Sequence, residues 1–255
     1  TTVGTVSARA ANGGIYLRET DALIVGDVSV TISKVDSAAA VSTVTDATQS
    51  DVMTTGGNGN VVIRSTGGNI TLNDGTAGGT TGLAVSANGS GNVLIEAIRN
   101  DTDITANTDV VSASGHITVQ AGQSVIFAAN ADIRTGTTGT IDVEAGAGSI
   151  TMDATSLYTT GTGDIRMLAA QTITVGDVST GGNASLTATA GSILDADSAV
   201  GADDTNLNIT AVGLRLNAGT AVGATGNHVE TTVGTVSARA ANGGIYLRET
   251  DALIV

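Results

Sequence analysis

A chain of 255 residues with 24 acidic side chains against 10 basic ones has a formal charge of −14, which excludes electrostatic capture of nucleic acid or of an anionic membrane surface. It contains no Cys, so a disulfide framework, a thiolate metal site and a cysteine nucleophile are all ruled out; no apolar run approaches the roughly 18 residues of a membrane-spanning helix. Aromatic residues are 2% of the chain, Gly numbers 35 and Pro is absent: Val, Ile, Leu and Ala must build a thin core, and a proline-free chain suits strands flanked by strands on both sides.

The chain opens on TTVGTVSARAANGGIYLRETDALIV (1–25), and the same 25 letters return at 231–255. The implied period is 230 residues (231 minus 1), so 1–230 reads as one tandem unit and 231–255 as the start of the next, identical one. With no initiator Met and no signal peptide, the expectation is an internal stretch of a longer polypeptide.

A shorter template runs inside the long one: turn Gly, polar, apolar, variable, apolar, variable, small. It appears as GNVVIRS (59–65), GNVLIEA (91–97), GHITVQA (115–121), GTIDVEA (139–145) and GDIRMLA (163–169). Looser copies are assigned at GTVSARA (4–10), GDVSVTI (26–32), GNASLTA (182–188), TNLNITA (205–211) and GTVSARA (234–240). Second strands follow at GGIYL (13–17), GSITM (148–152), QTITV (171–175) and GSILD (191–195), and short third strands at ADIRT (131–135) and SLYTT (156–160). Anchor spacings of 19 to 33 residues fill one period and return to Gly234 in register. Period-two alternation without helical stripes, repeated about every 25 residues, predicts an all-β solenoid: a parallel β-helix with about nine rungs per 230-residue period and no helices. A two-layer β-sandwich is the competing fold.

Stacking the rungs gives inward columns. One reads Val61, Val93, Ile117, Ile141, Ile165, Ala184, Leu207 and Val236; the other reads Ile63, Ile95, Val119, Val143, Met167, Leu186, Ile209 and Ala238. The position after the turn Gly reads Asn60, Asn92, His116, Thr140, Asp164, Asn183, Asn206 and Thr235, a ladder of amides and hydroxyls bonding along the stack. Outward positions set Arg64 beside Glu96 and Asp142 beside Arg166.

Candidate sites are few. LDADSAVGADD (194–204) gathers Asp195, Asp197, Asp203 and Asp204, oxygen ligands of the kind calcium takes, although the order departs from that of an EF-hand; a solvated acidic loop is the plainer alternative. Asp203–Asp204 is an adjacent carboxylate pair suited to acid–base work, but no basic cluster accompanies it. His116 belongs to the polar column and His228 to the insert AVGATGNHVETT, so neither suggests catalysis.

Segments such as ANGGIYLRETDALIVGDV, GHITVQAGQSVIF and GTIDVEAGAGSITM resemble the β-helical repeats of filamentous-haemagglutinin-like exoproteins and giant bacterial tandem-repeat adhesins. The resemblance implies a right-handed β-helix outside the cell, with structural or adhesive duty. The expectation is therefore not an enzyme but a structural filament or stalk at a bacterial surface, with a cell-adhesion or cell-connecting role. Its partners would be neighbouring repeats, head-to-tail copies or laterally bundled fibres, with calcium as the one cofactor the acidic loop suggests. The alternative is an adhesin binding surface glycans or proteins through the insertions 33–58, 73–90 and 212–233; a polysaccharide-degrading β-helix enzyme is more remote.

Overall fold

In the computed structural model the described residues are 2–77, 82–197, 206–252 and 254. They form a parallel β-helix with no helical element among them. Each turn visits three faces in fixed order. The first carries short strands from Thr5–Val6 and Leu23–Val25, through Ile70–Leu72, Ile104–Ala106 and Val125–Phe127, to Ile193–Asp195. The second runs from Ala8–Ala10 and Val52–Thr54 through Asp109–Ser112, Ile133–Thr135 and Leu157–Thr159 to Asp177–Ser179. The third carries the template strands: Ile15–Glu19, Val61–Ser65, Val93–Ala97, Ile117–Ala121, Ile141–Ala145, Ile165–Ala169 and Asn183–Ala188. Towards the end of the chain the second and third faces merge into the long strands Ile209–Ala218 and Val229–Ala240. Every strand pairing between turns is parallel.

Alternation explains the core. Along the third face Val61, Val93, Ile117, Ile141, Ile165 and Ala184 lie in one buried column, and Ile63, Ile95, Val119, Val143, Met167 and Leu186 in the next. Each side chain rests on its counterpart one turn away, and burial of apolar surface stabilises the stack at about 25 cal/mol per Å². The two largest buried side chains meet across the interior: Phe127 on the first face and Tyr158 on the second stand edge to face with ring centroids 5.1 Å apart.

The template glycine is required by close approach rather than by a left-handed backbone. A Cβ on Gly163 would lie 1.9 Å from the carbonyl oxygen of Gly139, and one on Gly91 would lie 2.2 Å from that of Gly59. Buried hydroxyls close the same corner: Ser112 donates to the Gly91 carbonyl at 2.7 Å and Thr135 to that of Gly115 at 2.6 Å.

Four expectations are corrected. Leu207 and Ile209 do not continue the third-face columns. Leu214 and Leu216 do, pairing back to Ala184 and Leu186 and on to Val236 and Ala238; Asn206 yields its column to Gly213. Ile209 is buried on the second face beside Val178, and Leu207 is exposed. GDVSVTI is no rung: Thr31–Val35 pairs antiparallel with Val41–Thr45 as a hairpin arm outside the solenoid. Nor are the inserts 73–90 and 212–233 merely loops, since Leu83–Ala87 and most of 212–233 are strands of the wall.

The fourth correction concerns register. At the start of the chain Thr5–Val6 lies on the first face and Ile15–Glu19 on the third. In the second copy the equivalents exchange roles: Thr235–Ala240 lies on the third face, Ile245 bridges to Val222 on the first, and Leu247–Glu249 lies on the second. Counted over the described strands, Thr5 to Thr235 takes 26 steps from face to face, which over three faces is eight and two-thirds turns. About nine rungs per period therefore holds, but the second copy enters a third of a turn out of phase. Both frames work because Val6, Ala8 and Ala10 alternate with polar residues and are small enough to face the core on any side.

Candidate functional site

Two surface features distinguish this rod from a bare stack: polar columns on its corners and the arm. The column after the template glycine bonds along the axis as expected, mainly through side-chain acceptors. Asn60 Oδ1 accepts the Asn92 backbone N–H at 2.9 Å, Asn92 Oδ1 accepts that of His116 at 2.8 Å, and His116 Nδ1 lies 2.8 Å from Thr140 Oγ1. Asp164 Oδ1 continues it by accepting the Asn183 N–H at 2.8 Å. His116 thus works as one link of a hydrogen-bonded ladder.

The outward ion pairs form where the sequence set them. Arg64 pairs with Glu96, and Arg166 holds Asp142 at 2.7 Å while also reaching Glu144. Burial at the foot of this network raises the Asp142 carboxyl above its ordinary value, against the opposing pull of Arg166. A second acidic column, which the sequence reading missed, runs up the second face. Asp109 Oδ1 accepts the Asp132 N–H at 2.9 Å, Asp132 Oδ1 accepts that of Leu157 at 2.9 Å, and Arg134 bridges both carboxylates. Asp177 stands further along it; burial first, and Asp132 second, push its carboxyl up.

Of the proposed calcium ligands, Asp195 closes a first-face strand and is buried. Its Oδ1 accepts Asn208 Nδ2 at 2.6 Å and the Asp197 backbone N–H at 3.0 Å. Asp197 Oδ2 accepts Asn206 Nδ2 at 3.1 Å. Asp203 and Asp204 lie outside the described residues, and among the described residues no group of three or more His, Cys, Asp or Glu is placed to hold a metal. Both described carboxylates accept hydrogen bonds from protein donors.

The arm is the most conspicuous protrusion. Its base is clamped: Asp27 accepts hydrogen bonds from Ser50 Oγ and from the Thr76 N–H and hydroxyl, which hold its carboxyl below the ordinary value. Val28 and Gln49 exchange backbone bonds of 2.8 and 2.9 Å. Its tip is set by Asp36, whose Oδ1 accepts the N–H groups of Ala38 and Ala40, both at 2.9 Å, while Ala39 takes the left-handed conformation at φ 58°. Between base and tip every residue of both strands is exposed, Val41 to 68% and Val35 to 61%. The insertion 33–58 thus divides into most of this exposed arm and the buried second-face strand Val52–Thr54.

Comparison of the chain with protein-family models, curated proteins and solved structures gives no match. What the structure defines is the class: a parallel β-helical solenoid with one protruding arm.

Proposed function

We propose that the chain is a rod-forming segment of an extracellular structural filament at a bacterial surface, with a cell-connecting or adhesive role and no catalytic one. One observation carries the reading. The stack is held turn by turn, through backbone ladders on three faces and through side-chain columns on the corners, so stiffness extends along the whole axis. Such an object bears load and spans distance. The resemblance to exoprotein repeats supports the surface setting, and the charge of −14 keeps neighbouring rods apart unless cations, calcium among them, screen or bridge them.

Ile15–Glu19 pairs in parallel with Val61–Ser65 on one side among the described strands, so a further turn, of the same chain or of another copy, would extend the ladder in the same direction. Negative-stain images at rising concentration test the reading: thin rods that lengthen support it, and compact particles that stay single sink it. The adhesin alternative rests on the clamped, apolar arm. Its test is attachment to glycan-bearing or protein-coated surfaces, with loss of attachment when residues 30–46 are replaced by a short polar turn.

A further inference from the structure

We infer that the second arm strand, Val41–Thr45, pairs with the same strand of a second copy, joining two arms into a four-stranded antiparallel sheet about a two-fold axis at Thr43. Hydrogen-bond parity sets the register. Asp36 N–H bonds to the Ala40 carbonyl and Asp46 N–H to that of Val30, so the inward-bonding positions of this strand are 40, 42, 44 and 46. The N–H and C=O groups of Val41, Thr43 and Thr45 therefore point to the open edge. An antiparallel copy centred on Thr43 sets 41 against 45, 43 against 43 and 45 against 41, which satisfies every outward group at once. That self-complementarity is the requirement of a two-fold contact.

Charge selects the edge and the occupant. Lys34, the only lysine in the chain, lies on the first arm strand, and a charged side chain discourages edge pairing there; Val41–Thr45 carries no charge, proline or bulge. Residues 30–46 hold Lys34 against Asp36 and Asp46, a net charge of −1 on a chain of −14. The arms are thus the place where two acidic rods can touch with little repulsion, and five residues at about 3.4 Å each hold the rods about 17 Å apart. Pairing would also set Val41 beside Thr45 of the second copy, and it would relieve the arm of being a lone two-stranded hairpin, a marginal structure in water.

The inference deepens the filament reading, rests on it for its biological sense, and supplies its lateral contact. Because the chain has no cysteine, single-cysteine variants of the full chain report the contact directly. Oxidation of Thr43→Cys should give a covalent dimer at least tenfold faster than oxidation of Ser33→Cys, whose copies would lie two strands further apart. Thr43→Pro removes an outward N–H and none of the arm's own bonds. It should weaken self-association in sedimentation velocity at least tenfold while leaving thermal unfolding of the β-helix in place, and added salt should strengthen the wild-type association. Equal oxidation rates, or association indifferent to Thr43→Pro, overturn the pairing. Long rods that never pair sideways would overturn the pairing and leave the filament reading standing; compact particles that still cross-link at position 43 would do the reverse.

Discussion

Glu19 and Glu249 are the same residue of the duplicated stretch, and they make matching bonds on different faces of the rod. Glu19 accepts the N–H groups of Val3 at 3.1 Å and Thr20 at 2.8 Å; Glu249 accepts those of Val233 at 3.1 Å and Thr250 at 3.2 Å. The pairing Thr5 with Ile24 likewise returns as Thr235 with Ile254. These contacts therefore recur in both copies, although Thr5–Val6 and Ala8–Ala10 lie on separate faces and Thr235–Ala240 on one.

The phase shift has a visible consequence. In a chain built of two complete periods, the second arm should leave the rod a third of a turn away from the first, about 42 Å further along at about 4.8 Å per turn. Gold or antibody labels on position 37 of each arm, imaged by electron microscopy, check this. Labels on one line along the rod would show that the period closes in whole turns.

Turn glycines should be unequal. Gly163→Ala drives a Cβ into the Gly139 carbonyl at 1.9 Å, so backbone must move, at a cost of about 3 kcal/mol or more. Gly13→Ala meets nothing within 4 Å and should change stability by about 0.5 kcal/mol or less. Urea unfolding of the two variants measures the contrast, and equal midpoints would remove close approach as the reason for the column.

Tyr158 is fully buried, its hydroxyl has no hydrogen-bond partner among the described residues, and burial raises its ionisation well above the ordinary value. Tyr158→Phe keeps the edge-to-face contact with Phe127 and deletes an unsatisfied group, so it should stabilise the fold by about 1–2 kcal/mol. A lower melting temperature would show that the hydroxyl is bonded after all.

Acidity follows from the buried carboxylates. Asp109, Asp142 and Asp177 all have folded-state values raised by burial above the ordinary 3.8. Just above that value the folded chain binds more protons than the unfolded one, so these groups contribute stability at low pH that is lost as pH rises through their folded values. Asp27 and Asp153 act in the opposite sense, since hydrogen bonds from Ser50 and Thr155 lower them; Asp27 is exposed and Asp153 half-buried. Melting temperature should therefore climb as pH falls through the raised folded-state values of these three carboxyls towards the ordinary 3.8. Asp177→Asn should raise it at pH 7 and have little effect at pH 4; a loss of stability at pH 7 would contradict the burial argument.

The regular middle of the rod was legible in the sequence, the two ends much less so. From Val93 to Ile165 the spacing is constant at 24 residues and each strand follows its own glycine, so alternation alone sets face, column and neighbour. Beyond residue 205 two runs compete. TNLNITA and VGLRLNA both alternate, both end in Ala, and both have an apolar residue four or five positions later, so period two cannot choose between them. Pairing with Asn183–Ala188 decides for the second. The arm was hidden for a similar reason, because Ile32, Val35, Val41 and Val44 carry the same β-branched alternation as a rung. What marks them as outside is the tight turn at Asp36–Ala40, which allows antiparallel pairing and too short a connection for a parallel one. The Asp109–Asp132–Asp177 column went unseen because its members are spaced irregularly and only Asp177 follows a glycine.

The central claim is that this chain is a stackable rod whose axis is set by parallel turns. Cryo-electron microscopy of the purified chain at rising concentration tests it most directly. The account predicts rods with an axial spacing of about 4.8 Å between turns, growing by addition of whole chains end to end. Compact particles of fixed size, or fibres whose strands run along the axis rather than across it, would contradict it.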